Sequence, residues 1–505
     1  MNCRRLHSLH IPSIKPSPAR GAAFVCIALV IYTLFLYLPS LPCWSSTSCF
    51  IPIPRKPTII NRLQPVHTLT DSRHIVFGIA STASVWMSRQ DYVKLWWQPP
   101  AGAARRRGFV WLDQPMTNLS ANSSLLPDVK ISGNTDRFPY TWEDNGSPSA
   151  IRISRIVSET FRLGLQDVRW FVMGDDDTIF FPENLAAVLR KYNHKKLYYI
   201  GQSTESQKQS AQHSFGMAYG GGGIAISYAL AEALEKMQDG CLMRYGHLYG
   251  SDSRIGACAA ELGVPLTREH GFHQIDMHGD IFGLLAAHPV KPLVSLHHIN
   301  EIEPIFPDMT RLQALQHLVD GAVSDPIGTL QQSICYDRRR NATVSVSWGY
   351  AVQIFEGAWT PLEVQKPSTT FVDWRTWQTW EESFTFDVRQ VPEDECARPA
   401  VYFMENVTEA GDGKTSIGVY KLRQQQEKKV QEGAPPSASR RSCRRSIEDN
   451  TVLVHKQQQS ASWLTAPRRQ ACEVMPPKVP SQSGVQPLVV HVRDFKNNEI
   501  IAPHE

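Results

Sequence analysis

The sequence lacks the marks of a nucleic-acid-binding, zinc-binding or repeat protein. Its 505 residues carry 52 Lys and Arg against 48 Asp and Glu, so the formal charge is only +4, much of it in short basic clusters. No basic stripe runs along the chain, which argues against a surface that tracks nucleic acid. There is no CxxC pair and no Cys/His spacing suited to structural zinc. Walker and GxGxxG patterns are missing too, so neither a P-loop nor a dinucleotide site is supported. No internal repeat occurs. What remains is an ordinary globular balance, 42% hydrophobic and 20% charged, on a chain too long for one average domain.

Acid is also missing from residues 1–20, which hold Arg4, Arg5, Lys15 and Arg20. Directly after them, AAFVCIALVIYTLFLYL (22–38) is uncharged and free of proline. At about 1.5 Å per residue this is the short end of a membrane span, and its basic N-terminal flank points to a cytosolic tail. The spacing predicts a signal-anchor over 21–38, with the rest of the chain lumenal. A cleaved signal peptide is the alternative, but its apolar core is usually shorter and followed by small residues rather than Leu-Tyr-Leu-Pro. Five Asn-X-Ser/Thr sequons, at Asn118, Asn122, Asn145, Asn341 and Asn406, all follow the apolar run. Eight of the ten cysteines do so as well, where disulfides are permitted.

Residues 39–70 are rich in Pro and Ser and read as an extended stem. From residue 74, strand-like and helix-like segments alternate. Strands are expected at 75–80, 109–112, 168–173 and 197–201, with helices near 85–97, 151–163, 185–192, 227–237 and 253–262. That alternation predicts an α/β domain with a mainly parallel sheet over 71–310. Strand-like pieces at 343–348 and 350–355 suggest a β-rich appendage over 311–410. A low-complexity linker is expected over 411–460, and a short tail over 461–505.

The chemistry concentrates in four segments. In WFVMGDDDTIFF, Asp175, Asp176 and Asp177 follow an apolar strand, where α/β sheets place their ligands. Adjacent carboxylates repel unless a cation or water compensates them, and oxygen ligands suit Mg or Mn. A solvated acidic loop or helix cap would read the same way. YGGGGIAIS places Gly220–Gly223 before a helix, either as a loop that a sugar or diphosphate approaches closely or as a plain turn. In YGSDSRIG, Asp252 opens a helix and is either an N-cap or a carboxylate able to act as general base. LVSLHHIN supplies His297 and His298, either of which could join a carboxylate-held Mn. Two further features have plainer explanations. Trp374, Trp377 and Trp380 could stack on sugars but read better as a semi-buried aromatic face, and the Arg105–Arg107 cluster reads as a solvated loop.

In this order and at these separations, the four segments resemble the fringe-like β-1,3-glycosyltransferases and their plant relatives, over about residues 74–311 together with the tail, anchor and stem. The resemblance implies a GT-A fold, a UDP-sugar donor, Mn²⁺, inversion at the anomeric carbon and a single-pass type II protein of the Golgi membrane. It would make Asp177 and His297 metal ligands, with His298 as the alternative. Asp175, Asp176, Gly221, Gly222 and Gly223 would line the donor site, and Asp252 would be the base. The acceptor would be a glycan or glycoprotein hydroxyl. Three departures stand out: one acid at Ser251-Asp252 where the fringe pattern has two, a second histidine, and a more uniform glycine loop. Nothing after about residue 320 has a fringe counterpart. The other functional classes to weigh are a non-catalytic carbohydrate-binding or scaffold protein that keeps the fold, and a metal-dependent phosphodiesterase.

Overall fold

The structure, a computed structural model of the chain, describes residues 69–99, 102, 104–116, 125–140, 148–374, 383–423, 450–476 and 487–502. The expected cytosolic tail and membrane segment lie outside these residues, as do all but the last two residues of the stem. Among the described residues, no helix is long and apolar enough to cross a membrane.

Runs of β-branched and aromatic residues, which lose least by extending between two packed layers, form the central strands. β1 (Ile75–Ala80) is buried along its whole length, and α1 (Trp86–Trp97) packs Trp86, Val93, Trp96 and Trp97 against the core. β2 (Arg107–Leu112) and β3 (Asp128–Ile131) follow, then α2 (Pro148–Arg162) and β4 (Trp170–Asp175). Next come β5 (Ile179–Phe180) and α3 (Pro182–Leu189), whose proline sits in the first turn, where a missing N–H costs nothing. The series continues through β6 (Tyr199–Gly201), α4 (Gln207–Gln212), β7 (Ile224–Ser227), α5 (Tyr228–Arg244), α6 (Ser251–Glu261) and β8 (Leu266–Arg268).

All of these strands except β5 make one sheet, in the order β3-β2-β1-β4-β7-β6-β8. The sheet is mixed rather than simply parallel, because β7 runs antiparallel to both β4 and β6. The composition-based reading passed over β7, which is only four residues long and is enclosed by the glycine run and the following helix. Its direction matters for the site. With Met173 opposite Ile224, the loop entering β7 lies beside the end of β4. Gly220–Gly223 are thereby brought next to Asp175.

A second small sheet performs the same service for the histidines. β9 (Phe272–His273), β10 (Met277–Gly279) and β11 (Ser295–Leu296) follow β8, and β11 pairs antiparallel with β5 and parallel with β9. Leu296 lies opposite Ile179, so the residue after β11 faces the turn that carries the aspartates.

Beyond α7 (Arg311–Ala322), opened by a Thr310/Gln313 capping box, the structure departs from expectation. The strands β12 (Gln332–Asp337), β13 (Ala342–Ser347), β14 (Ala351–Glu356), β15 (Phe371–Asp373), β16 (Ala400–Glu409), β17 (Thr415–Leu422), β18 (Thr451–Gln457), β19 (Ala471–Val474) and β20 (Leu488–Arg493) follow in turn. All except β15 close into a barrel, β12-β13-β14-β16-β17-β18-β20-β19. The appendage therefore does not end near 410. The segments read as a linker (411–460) and a tail (461–505) contribute β17 to β20, and closure pairs strands that an open sheet would leave with unsatisfied edges. The run 424–449 lies outside the described residues.

The barrel is not a separable appendage. Residues 68–505 form one compact unit, and Phe282 and Phe306 pack against Tyr350 and Phe403 of the barrel in tilted and edge-to-face pairs. Disulfides staple both halves: Cys241–Cys258 joins α5 to α6, and Cys335–Cys472 joins β12 to β19. Cys396 is disulfide-bonded as well, so every described cysteine is oxidised. Arg106 is another correction: it is buried, donating to the Gln98 carbonyl at 2.7 Å and to Glu183 at 3.0 Å, because its loop folds back on α1 and α3.

Inside the barrel, Lys456 is 1% exposed and pairs with buried Asp325. Burial pulls the ammonium down from its usual range, and the carboxylate opposes that pull. Asp325→Ala should destabilise the fold by about 3–5 kcal/mol, since it strands a buried charge. The thermal midpoint should fall accordingly and largely recover in Asp325→Ala combined with Lys456→Met. A loss below about 1 kcal/mol would mean the pair is not holding the barrel.

Candidate active site

The three aspartates end β4 and begin the turn into β5, and they do not share one environment. Asp175 lines the crevice with its side chain 38% exposed. Burial pushes its carboxyl up to about 7, the His297 imidazole opposes that, and Asp177, Asp176 and Asp252 add to it. Burial likewise raises Asp176, while a hydrogen bond from Ser81 Oγ at 2.5 Å works the other way. Burial would raise Asp177 too, but His297 and Arg89 beside it hold it well below the usual carboxylate range. One turn thus holds three carboxylates with different partners.

His297 is the centre of the arrangement. Its Nε2 lies 3.2 Å from Asp177 Oδ1 and 3.6 Å from Asp175 Oδ2. Its Nδ1 is 3.3 Å from the Gln274 carbonyl, a contact that leaves Nε2 for the acids. Burial would lower this imidazole, but Asp177 and Asp175 raise it to about 9. His298 faces elsewhere. It adopts a left-handed backbone, its Nδ1 is 3.0 Å from Asp276 Oδ1 but out of line for a hydrogen bond, and its ring stacks on Trp374 at 4.5 Å. Of the two histidines, only His297 meets the aspartates.

The glycine loop fits around that imidazole. A Cβ on Gly221 would overlap the His297 ring, so no larger residue fits without moving it. Gly223 has φ +101° and its N–H donates to the Gly220 carbonyl at 3.0 Å, closing a tight turn. Thr178 fastens the loop to the acidic turn, donating to the Gly221 carbonyl at 2.7 Å and accepting from the Asp175 N–H at 2.9 Å. Gly222 donates to Gln274 Oε1 at 2.7 Å.

Asp252 is not the helix cap: Gly250 holds the N-cap position and Asp252 lies inside the first turn of α6. Instead, Asp252 Oδ2 accepts from the Gly220 N–H at 3.0 Å, which ties it to the glycine loop. It lines a hollow of about 250 Å³ with Tyr219, Tyr249, Gln274 and Trp374. A neighbouring hollow of about 430 Å³ holds Asp175, Asp176, Asp177 and His297, and the two share His298 and Trp374. The four separated segments therefore face two adjoining hollows.

Sequence reasoning missed several residues here. Arg89, from α1, pairs with Asp177 and lies 3.9 Å from Asp176. Asn300 bridges Tyr92 and Arg89, its amide nitrogen and oxygen each at 2.6 Å from them. Buried Arg152 donates to the Ser81 carbonyl at 2.8 Å and the Trp111 carbonyl at 3.0 Å, and lines the larger hollow. No local pattern marks these side chains, since each meets the site only through the fold. Trp374 arrives from the connection after β15, which pairs with β10, and stacks on His278 at 4.5 Å as well as on His298. An aromatic packing role is thus visible for Trp374, while Trp377 and Trp380 lie outside the described residues.

The sheet, the helices that flank it and a crevice at the carboxyl end of β4 define an α/β protein with its candidate ligand site where such sheets place one. The chain belongs to the family described as "Protein of unknown function, DUF604", whose model matches residues 209–472, just over half of its length. That match includes the glycine loop, Asp252, His297 and most of the barrel. A mouse protein described as beta-1,3-glucosyltransferase is 28% identical over 141 residues, and the match spans 27% of this chain and only 27% of the mouse protein. Two solved structures of LgtC, one titled as a galactosyltransferase with donor and acceptor sugar analogues, superpose with TM-scores of 0.31 and 0.30. They are 12% and 13% identical, and each superposition covers 48% of this chain and 94% of theirs.

The close fit of Gly221 against His297 gives a direct test. Gly221→Ala should cost about 1–3 kcal/mol through overpacking and displace the imidazole, shifting the His297 ring resonances. Gly411→Ala, where an added Cβ meets nothing within 4 Å, should change stability by less than about 0.5 kcal/mol. Equal behaviour of the two variants would contradict the packing described.

Proposed function

We propose that this chain is an inverting glycosyltransferase that moves a sugar from a UDP-sugar to a glycan or glycoprotein hydroxyl, with a divalent metal such as Mn²⁺ at the acidic turn. The observation that carries this reading is the gathering of Asp175–Asp177 and His297 in one hollow, with Asp252 in the adjoining hollow and the Gly220–Gly223 loop packed against both His297 and Asp252. The partial likeness to a β-1,3-glucosyltransferase supports the same class, and the fringe-like branch is the resemblance its motifs favour.

The donor set fits a hard divalent cation. Asp177 Oδ1 and His297 Nε2 converge to 3.2 Å, and the three buried or partly buried carboxylates share their hollow with Arg89, Arg152 and His297. Among the described residues, no three His, Cys, Asp or Glu side chains form a complete cage. Asp177 and His297 would therefore hold the ion, with Asp175 nearby and the diphosphate and water completing its shell. When bound, the ion supplies positive charge to the leaving diphosphate. Arg89 and Arg152 add fixed positive charge in the same hollow. Asp252, in the adjoining hollow, is placed to take the proton of the acceptor hydroxyl. The acceptor oxygen then bonds to the anomeric carbon as the bond to UDP breaks, and a single displacement inverts that centre.

A lumenal site in the Golgi membrane suits this activity. Two observations support it: every described cysteine is disulfide-bonded, and the sequon residues Asn341 and Asn406 are both exposed. The apolar run at 21–38 would anchor the chain as a single-pass type II protein.

The Arg89–Asp177 contact favours a second reading, a carbohydrate-binding protein without turnover, because a cation already occupies one oxygen of the presumed metal ligand. UDP released on incubating the protein with a UDP-sugar panel, Mn²⁺ and glycan acceptors separates the two. Asp177→Ala should abolish Mn-dependent release and weaken UDP binding while the thermal midpoint stays within a few degrees. Full release in that variant would remove the metal assignment. Asp252→Asn should retain UDP binding but lower transfer by about 10²–10⁴-fold, the usual worth of a general base. Unchanged transfer would remove Asp252 from that role.

A further inference from the structure

A further hollow, of about 620 Å³, is distinct from the crevice just described. It lies between the α/β layer and the barrel. Residues 207–217 separate the two regions: Gln207 and Phe215 line this hollow, whereas Gln209, His213 and Met217 line the one that holds Asp252.

Its chemistry is distinctive. Arg268 comes from the edge strand β8, Lys366 from the connection after β14, and Arg469 from the segment leading into β19. Arg268 donates to the Phe215 carbonyl at 2.7 Å, and Lys366 has the exposed carboxylate of Glu363 near enough to feel its charge. Arg469 is half-buried with only two glutamine oxygens, Gln332 at 3.2 Å and Gln365 at 3.5 Å, and its Nε has no partner. Burial pulls this guanidinium below its ordinary range. Two carboxylates share the wall, and neither neutralises these cations: buried Glu205 is engaged by His273 at 2.9 Å and the Ile275 N–H at 2.8 Å, while Asp387 is exposed. The wall also carries a buried acceptor without a donor, Gln202 Oε1, and the rings of Phe215 and Phe386.

We propose that this hollow binds an acidic saccharide, a pyranose bearing a carboxylate. The three cations suit the carboxylate, and guanidinium groups suit it best because they present paired donors. Gln202 Oε1 calls for a hydroxyl donor, which sugars carry and a fully ionised sulfate lacks. The phenylalanine faces suit the C–H surface of a sugar ring. The site stands apart from the proposed transfer reaction, and its occupancy is read without turnover.

The test is calorimetric titration of the full chain with galacturonic acid trisaccharide, the neutral galactose trisaccharide and inorganic phosphate. The acidic trisaccharide should bind, and the neutral one should bind at least about tenfold more weakly, the usual worth of one charge-assisted hydrogen bond. Lys366→Gln and Arg469→Gln should each weaken the acidic ligand by about tenfold. Among the described residues the Lys366 side chain interacts only with exposed Glu363, so that variant keeps the test valid if Arg469→Gln fails to fold. Equal binding of the acidic and neutral sugars would overturn the proposal. So would phosphate binding as tightly as the trisaccharide, or wild-type affinity in Lys366→Gln.

Discussion

The His297 imidazole is wedged between the Gly221 backbone and the carboxylates of Asp175 and Asp177, and the crevice is organised around that contact. Three separate chain segments must meet there, and each arrives by strand pairing. β4 carries the acids, the reversed strand β7 brings the glycine loop to the same end, and β11 pairs with β5 to deliver the histidine. Only glycine leaves room for the ring at position 221. The hydrogen bonds of Thr178 to both the acidic turn and the glycine loop then lock the pieces together.

Electrostatics explains why this packing is tolerated. Gathering three carboxylates in a partly buried crevice is unfavourable unless positive charge is supplied. Arg89, His297 and the Ser81 hydroxyl each take up part of that load. Asp177 is stabilised as a carboxylate, whereas Asp175 is left short of partners and its carboxyl is raised. A crevice that gathers three carboxylates and also has Arg152 in its lining suits a cation together with a phosphate-bearing ligand.

Much of this was legible in the sequence because the signals were local. The apolar run 75–80 announced β1, and the aspartates after an apolar strand announced a ligand-facing turn. The ambiguity between His297 and His298 was not local, and it is resolved only by the β5–β11 pairing. Arg89 lies 88 residues from the acid it pairs with, so no spacing rule reaches it. The barrel was misread for a different reason. The inward positions of β17 are Ser416, Gly418 and Tyr420, and β18 turns Lys456 inward after Val452 and Val454. Alternation survives there in burial but not in hydrophobicity, so a polar linker was the natural reading of real strands. β15, which lies outside the barrel and pairs with β10, in turn brings Trp374 to the boundary between the two hollows, which makes it part of the site.

The central claim is that His297 and the acidic turn together hold a divalent cation. Pulsed electron paramagnetic resonance on the protein loaded with Mn²⁺ and UDP reads this directly, because an imidazole ligand imprints nitrogen modulation on the manganese echo. The account predicts that modulation in the native chain and its disappearance in His297→Gln. A manganese signal without nitrogen coupling, or one unchanged by that substitution, would contradict it.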